Sequence, residues 1–89
     1  MNFLHYQFNL APSDAVEITL DKQANVRLLD DSNFSLFRNG QTHRYIGGLA
    51  KESPVILSAP RSGHWNVVVD LGGYSGTVQA SARILKGVG

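Results

Sequence analysis

The stretch SGHWNVVVDLGG, residues 62–73, carries the chain's single tryptophan, its densest valine run and a closing glycine pair suited to a turn. Successive side chains of a strand point to opposite faces, so period two divides the stretch. Trp65, Val67 and Val69 fall on one face and His64, Asn66, Val68 and Asp70 on the other. The first set marks the core side of a central strand, with Trp65 its anchor. Val68 among polar neighbours implies that the second face is also partly covered, which leaves open what lies over His64, Asn66 and Val68.

Working outward, the same alternation recurs along the chain. Residues 3–10 place Leu4, Tyr6, Phe8 and Leu10 on one face, and residues 15–21 turn Val16, Ile18 and Leu20 inward. A third strand, with Val26 and Leu28 inward, ends near Asp30. Residues 55–59 put apolar side chains on both faces after Pro54, and residues 77–85 alternate Val78, Ala80, Ala82 and Ile84 with polar positions. The period changes only over residues 30–40, DDSNFSLFRNG. There Asp31 or Ser32 caps a helical turn, Phe34 and Phe37 share a side, and Asn39-Gly40 ends it. One or two helical turns are expected to close an end of the sandwich, with residues 41–46 as an irregular edge strand. About seven short strands with Gly- and Pro-bearing turns predict an all-β fold: an antiparallel, jelly-roll-like β-sandwich. One domain is expected over residues 1–86, with 87–89 as a frayed tail.

Composition narrows the function classes. The 89 residues are 43 % hydrophobic and 17 % charged, which suits a packed domain and argues against disorder. Eight Lys plus Arg against seven Asp plus Glu leave a formal charge of +1, without the basic footprint that nucleic acid or an anionic membrane surface requires. No cysteine is present, so disulfides and thiolate metal sites are excluded, and the reducing cytoplasm is the expected compartment. The opening MNFLHYQF lacks the basic start and apolar core of a signal peptide, and no apolar run spans a bilayer.

The segments VEITLDKQANVRLLDDSNF (16–34) and SGHWNVVVDLGGYSG (62–76) resemble those of an uncharacterised bacterial family, a domain of unknown function whose members are short all-β chains. The resemblance spans nearly the whole chain. It implies a small β-sandwich, with some members carrying the domain ahead of a TIR signalling domain, and it brings no catalytic residue. A weaker likeness, to the jelly-roll domains that accompany secreted peptidases, is one of strand pattern alone.

Three groups of side chains merit attention as sites. His5, His43 and His64 lack the local spacing of a metal pair, so a three-histidine centre would depend entirely on the fold. Asp30 and Asp31, with Asp70, offer oxygen ligands to a hard cation such as calcium, but the same residues serve as helix caps and turn formers. His43, Arg44, Arg61 and Tyr74 in loops, with His64 and Asn66 on the outer strand face, are the candidates for ligand or partner contact. There is no G-x-S-x-G elbow, no paired catalytic carboxylate motif and no phosphate-cradling loop ahead of a helix. The sequence therefore predicts a non-catalytic binding or interaction module needing no cofactor, its partner another protein chain, a second copy or a small ligand sensed at a loop end. A metal-dependent binder or small hydrolase using loop His and Asp residues is one alternative. The other is a carbohydrate-binding sandwich using Tyr74 and Tyr45 as its platform.

Overall fold

The computed structural model describes residues 2–87. Seven strands and one helix follow in the order β1 (Leu4–Leu10), β2 (Ala15–Leu20), β3 (Ala24–Asp30), α1 (Asp31–Arg38), β4 (Ile46–Ala50), β5 (Val55–Ser58), β6 (Gly63–Asp70) and β7 (Ala80–Leu85). They form two antiparallel sheets, β1-β6-β3-β4 and β5-β2-β7, packed face to face as an open sandwich. Chain order crosses from one sheet to the other at every connection except one. The exception is β3 to β4, and that connection carries the helix.

The predicted strand faces are the observed ones. Leu10, Val16, Ile18, Leu20, Val26, Leu28, Trp65, Val67 and Val69 are buried together between the sheets, with Leu4, Tyr6, Phe8, Ala80, Ala82 and Ile84 packed around them. Register explains why: β6 sits between β1 and β3, pairing Val67 with both Tyr6 and Leu28, and Val69 with both Leu4 and Val26. β6 also faces the second sheet on one side and the helix on the other, at Val68, so side chains on both of its faces are buried. Trp65 is fixed further by its indole N–H, which donates to the Arg61 carbonyl at 3.1 Å.

The helix departs from expectation in position. It lies across the outer face of the four-stranded sheet, where Phe37 packs on Leu29 and Val68 with Phe3 and Phe34 at the margins, instead of closing an end of the sandwich. The reason is Val68 and Leu29, apolar side chains on the outer face that would otherwise meet water. Its N-cap is Asp30 instead of Asp31 or Ser32: the Asp30 carboxylate accepts the Asn33 backbone N–H at 2.8 Å. Because Asp30 also ends β3, strand and helix meet without a loop residue between them.

Three further boundaries differ. Residues 41–45 are irregular and the edge strand follows them as β4. Gly47 explains the placement, because its φ is +116° and a Cβ there would lie 2.3 Å from the Val26 carbonyl oxygen. The last strand begins at Ala80 instead of 77. Of the predicted tail 87–89, Gly87 is tied down, its N–H donating to Asp14 at 3.2 Å, and 88–89 lie outside the described residues.

Candidate functional site

The outer face of β6, the start of β1 and the first turn of α1 meet around a chain of polar side chains, His64–Asp31–Asn66–His5. Asn66 is its centre. It is only 1 % exposed, and both of its amide N–H groups are committed, one to the Leu29 carbonyl at 3.3 Å and one to Asp31 Oδ1 at 2.8 Å. Those two acceptors fix which way the amide points, so Oδ1 must accept from His5 Nε2, 2.8 Å away. Neutral His5 then carries its free lone pair on Nδ1. The same logic applies on the other side of Asp31, whose Oδ1 receives His64 Nδ1 at 2.7 Å. A carboxylate only accepts, so neutral His64 keeps its lone pair on Nε2.

In their neutral forms each imidazole thus keeps one acceptor nitrogen, His64 bonded directly to the Asp31 carboxylate and His5 joined to it through Asn66. Donation from the Asn66 amide, then from His64, holds the Asp31 carboxyl below the usual carboxylate range, so it is ionised at neutral pH. The Asp31 side chain remains 67 % exposed. Its place in the first turn of α1 lets the helix dipole favour the same charge.

Two clefts adjoin this chain. One, of about 550 Å³, is lined by Phe3, His5, Gln7, Phe34, Arg38 and Asn66 beside Asp31. The His5 ring stacks on Phe34 at 4.2 Å and 23°, and the Arg38 guanidinium stands 5.7 Å from the Phe34 ring centre. The other, of about 230 Å³, lies between Asp31, Ser32, Ser62 and His64 and is bounded by Arg61 over the Trp65 ring. Arg61 also pairs with Asp30, whose carboxyl is held low first by the Asn33 backbone N–H and then by the Asn33 side chain and Arg61.

Of the residues singled out from the sequence, the structure gathers Asp30, Asp31, Arg61, His64 and Asn66 at this end, and Arg44 lines an adjacent cleft with Asp30 and Arg61. His43 turns away from it, with its Nδ1 bonded to the Gln41 carbonyl at 2.9 Å and its ring edge-on to Phe37 at 5.3 Å. Tyr74 and Asp70 lie at the opposite end of the sandwich. Asp70 pairs in register with Asn25, whereas Asp30 sits opposite Trp65. The five residue steps from Asn25 to Asp30 along β3 separate Asp70 from the Asp30-Asp31 pair by about 16 Å at the usual rise of a strand. The three aspartates therefore do not converge on one cation. Asp70 instead accepts from Arg27, from Asn25 at 3.1 Å and from the Gly72 N–H at 2.7 Å. Among the described residues, no three His, Cys, Asp or Glu side chains come together as a metal would need.

In sequence His5 stands out only as a possible metal ligand, and Gln7, Phe34 and Arg38 carry no mark of a site. Their role depends on β1 lying beside β6, with Gln7 opposite Asn66 and His5 opposite Val68, which brings His5 to Asn66, 61 residues away, with no local pattern to announce it.

No curated protein matches the chain, and no solved structure does. A family model described as Domain of unknown function (DUF1883) matches residues 1–87, so the chain belongs to the DUF1883 family.

Proposed function

We propose that this protein is a non-catalytic binding module whose contact face is the Asp31-centred surface between α1, β1 and β6. The observation that carries this is the hydrogen-bonded chain in which the buried Asn66 amide orients His5 and the exposed Asp31 carboxylate orients His64, so that each neutral imidazole keeps one acceptor nitrogen. Such a constellation is preorganised to accept hydrogen bonds, so it favours a ligand rich in donors and positive charge, such as an ammonium or guanidinium group on a partner chain. The aromatic shelf fits the same partner: Phe34 already faces the chain's own Arg38 guanidinium. Among the described residues, no hydroxyl or thiol nucleophile bonds to His5 or His64, which turns the reading away from nucleophilic hydrolysis. The proposal places the module in the cytoplasm, where a chain without cysteine is insensitive to the reducing environment.

The experiment is a titration of ¹⁵N-labelled protein with N-acetyl-lysine amide, N-acetyl-arginine amide and N-acetyl-glutamate amide. The expected result is saturable amide shifts at His5, Asp31, Phe34 and His64 with the two basic probes, abolished by Asp31→Asn. Equal shifts with the acidic probe, or shifts centred elsewhere, overturn the reading.

A second reading, self-association, is favoured by the β4 edge. That strand, IGGLA, carries no charge or proline to discourage pairing, and Leu49 on it is 55 % exposed. Ile56 on β5, the edge strand of the other sheet, is exposed to the same degree. Light scattering tests it: a concentration-dependent dimer that Leu49→Lys dissolves supports pairing through β4, and a monomer throughout the accessible range overturns it.

A further inference from the structure

A second cavity lies at the Asp70 end of β6, away from Asp31. Its volume is about 620 Å³, within the range of roughly 300–1,000 Å³ typical of small-molecule sites. One wall is rigid sheet: Leu4 and Val69 are register partners on β1 and β6, and Val69 is fully buried. The opposite wall is the segment joining β6 to β7, with Leu71, Tyr74 and Val78 facing the space. Glycines at 72, 73 and 76, all with positive φ, shape this segment. Tyr74 stands at its lip, 85 % exposed.

The charge of the cavity follows from its lining. Among the described residues, Asp70 is the only acidic or basic side chain there, and it is already neutralised by Arg27 and further satisfied by Asn25 and the Gly72 N–H. A charged ligand would therefore leave water for a wall with no free counter-charge, at a cost it could not recover. The rest of the lining is uncharged: Phe3, Leu4, Leu71 and Val78 offer apolar area and the Tyr74 ring a surface to stack on, with Asn2, Ser75 and Thr77 as neutral polar groups among them.

We propose that this cavity is a binding site for an uncharged, apolar aromatic small molecule, seated between the Leu4–Val69 wall and the Tyr74 loop. The cavity is distinct from the Asp31 carboxylate, which lies toward the other end of β6, and it shares only Phe3 with the cleft beside His5 and Phe34.

Fluorescence titration of the full chain with N-phenyl-1-naphthylamine, an uncharged probe, tests the proposal against its anionic relative 1-anilinonaphthalene-8-sulfonate. The expected result is saturable one-to-one binding of the neutral probe, with the anion weaker by about tenfold or more, a gap of roughly 1.4 kcal/mol. Val78→Glu, which brings an unpaired carboxylate to the wall, is expected to weaken the neutral probe by at least about tenfold. Because Val78 also touches the core, Tyr74→Ala serves as the second variant: its ring is exposed, so folding is indifferent to it while probe affinity falls. Asp31→Asn leaves probe binding unchanged. The proposal is overturned if the neutral probe does not saturate, if both probes bind alike, or if Tyr74→Ala binds as tightly as the parent chain.

Discussion

Asp70 shows how far a single residue's role depends on what surrounds it. In the sequence it is one carboxylate at a strand end, a conceivable calcium ligand whose plainer role is in a turn. In the fold its side chain is fully enclosed, and it gathers Arg27, Asn25 and the Gly72 N–H. Arg27 is held in turn between the rings of Phe37 and Tyr45, with its guanidinium 5.3 and 5.2 Å from their centres. Asp70 thus couples the β6 end to the helix side of the sheet. Removing one member of a buried pair strands the other charge, so Asp70→Ala is expected to destabilise the domain by about 3–5 kcal/mol in urea unfolding. Replacing both, as Arg27→Met with Asp70→Leu, is expected to recover most of that loss, because the remaining neighbours include apolar rings. A double variant as unstable as Asp70→Ala would show that the stability comes from the hydrogen bonds to Asn25 and Gly72 instead.

At the scale of elements, period two is sufficient for the strands and their inward faces, because each strand has one face in the same core. Helix α1 is legible as an element but not in its place. Its Phe34 and Phe37 announce an apolar side, and Val68 on β6 announces a covered outer face, yet nothing local connects the two. The connection is Leu29, which lies beside Val68 on the sheet and immediately precedes the helix cap. For the same reason the Asp31 site is half visible: its acidic residue and His64 stand out in sequence, while His5 reaches Asn66 only through the β1–β6 pairing. Residues 41–45 give no periodic signal, and the strand starts where glycine permits the close approach to Val26. If α1 is held chiefly by Phe37, then Phe37→Ala is expected to cost about 3 kcal/mol. Hydrogen exchange would show the effect by residue: the α1 amides should lose protection first, while the β2 and β7 amides exchange only on global unfolding. Uniform loss of protection across both sheets would mean that the helix is not a separable layer.

Across the whole molecule, three carboxylates tie together places distant in sequence, and acid should release all of them within one pH window. Asp14 joins the turn after β1 to the end of the described chain, accepting the backbone N–H groups of Ala11 and Gly87. Those bonds, the Ala11 N–H first, hold its carboxyl below the usual value of 3.8, with Lys86 adding a smaller pull. Asp30 and Asp31 are lowered in the same sense by Asn33 and by Asn66, the first cause in each case. The sign follows from linkage. A carboxyl whose folded value lies below its unfolded one binds fewer protons when folded, so its contribution is fully present above about pH 5, where the unfolded chain, with an Asp value near 3.9, is itself ionised. That contribution then declines as pH falls through the unfolded value toward the depressed folded ones, and protonation of the folded state completes the loss. Unfolding free energy from urea titrations is therefore expected to stay level, as far as these three groups are concerned, down to about pH 5 and to drop below about pH 4. Asp14→Asn should be less stable than the parent near neutrality, and the two curves should converge as acid removes from the parent what the substitution has already removed. A stability difference that stays constant from pH 7 to pH 3 would mean that Asp14 acts through the shape of its turn and not through its charge. The pull that Lys86 exerts is electrostatic, between a mostly exposed ammonium and a nearly buried carboxylate at 3.5 Å, so added salt should shrink only that minor share. The gap between Asp14→Asn and parent should accordingly survive high ionic strength, because backbone N–H groups, which salt does not screen at contact, supply most of it.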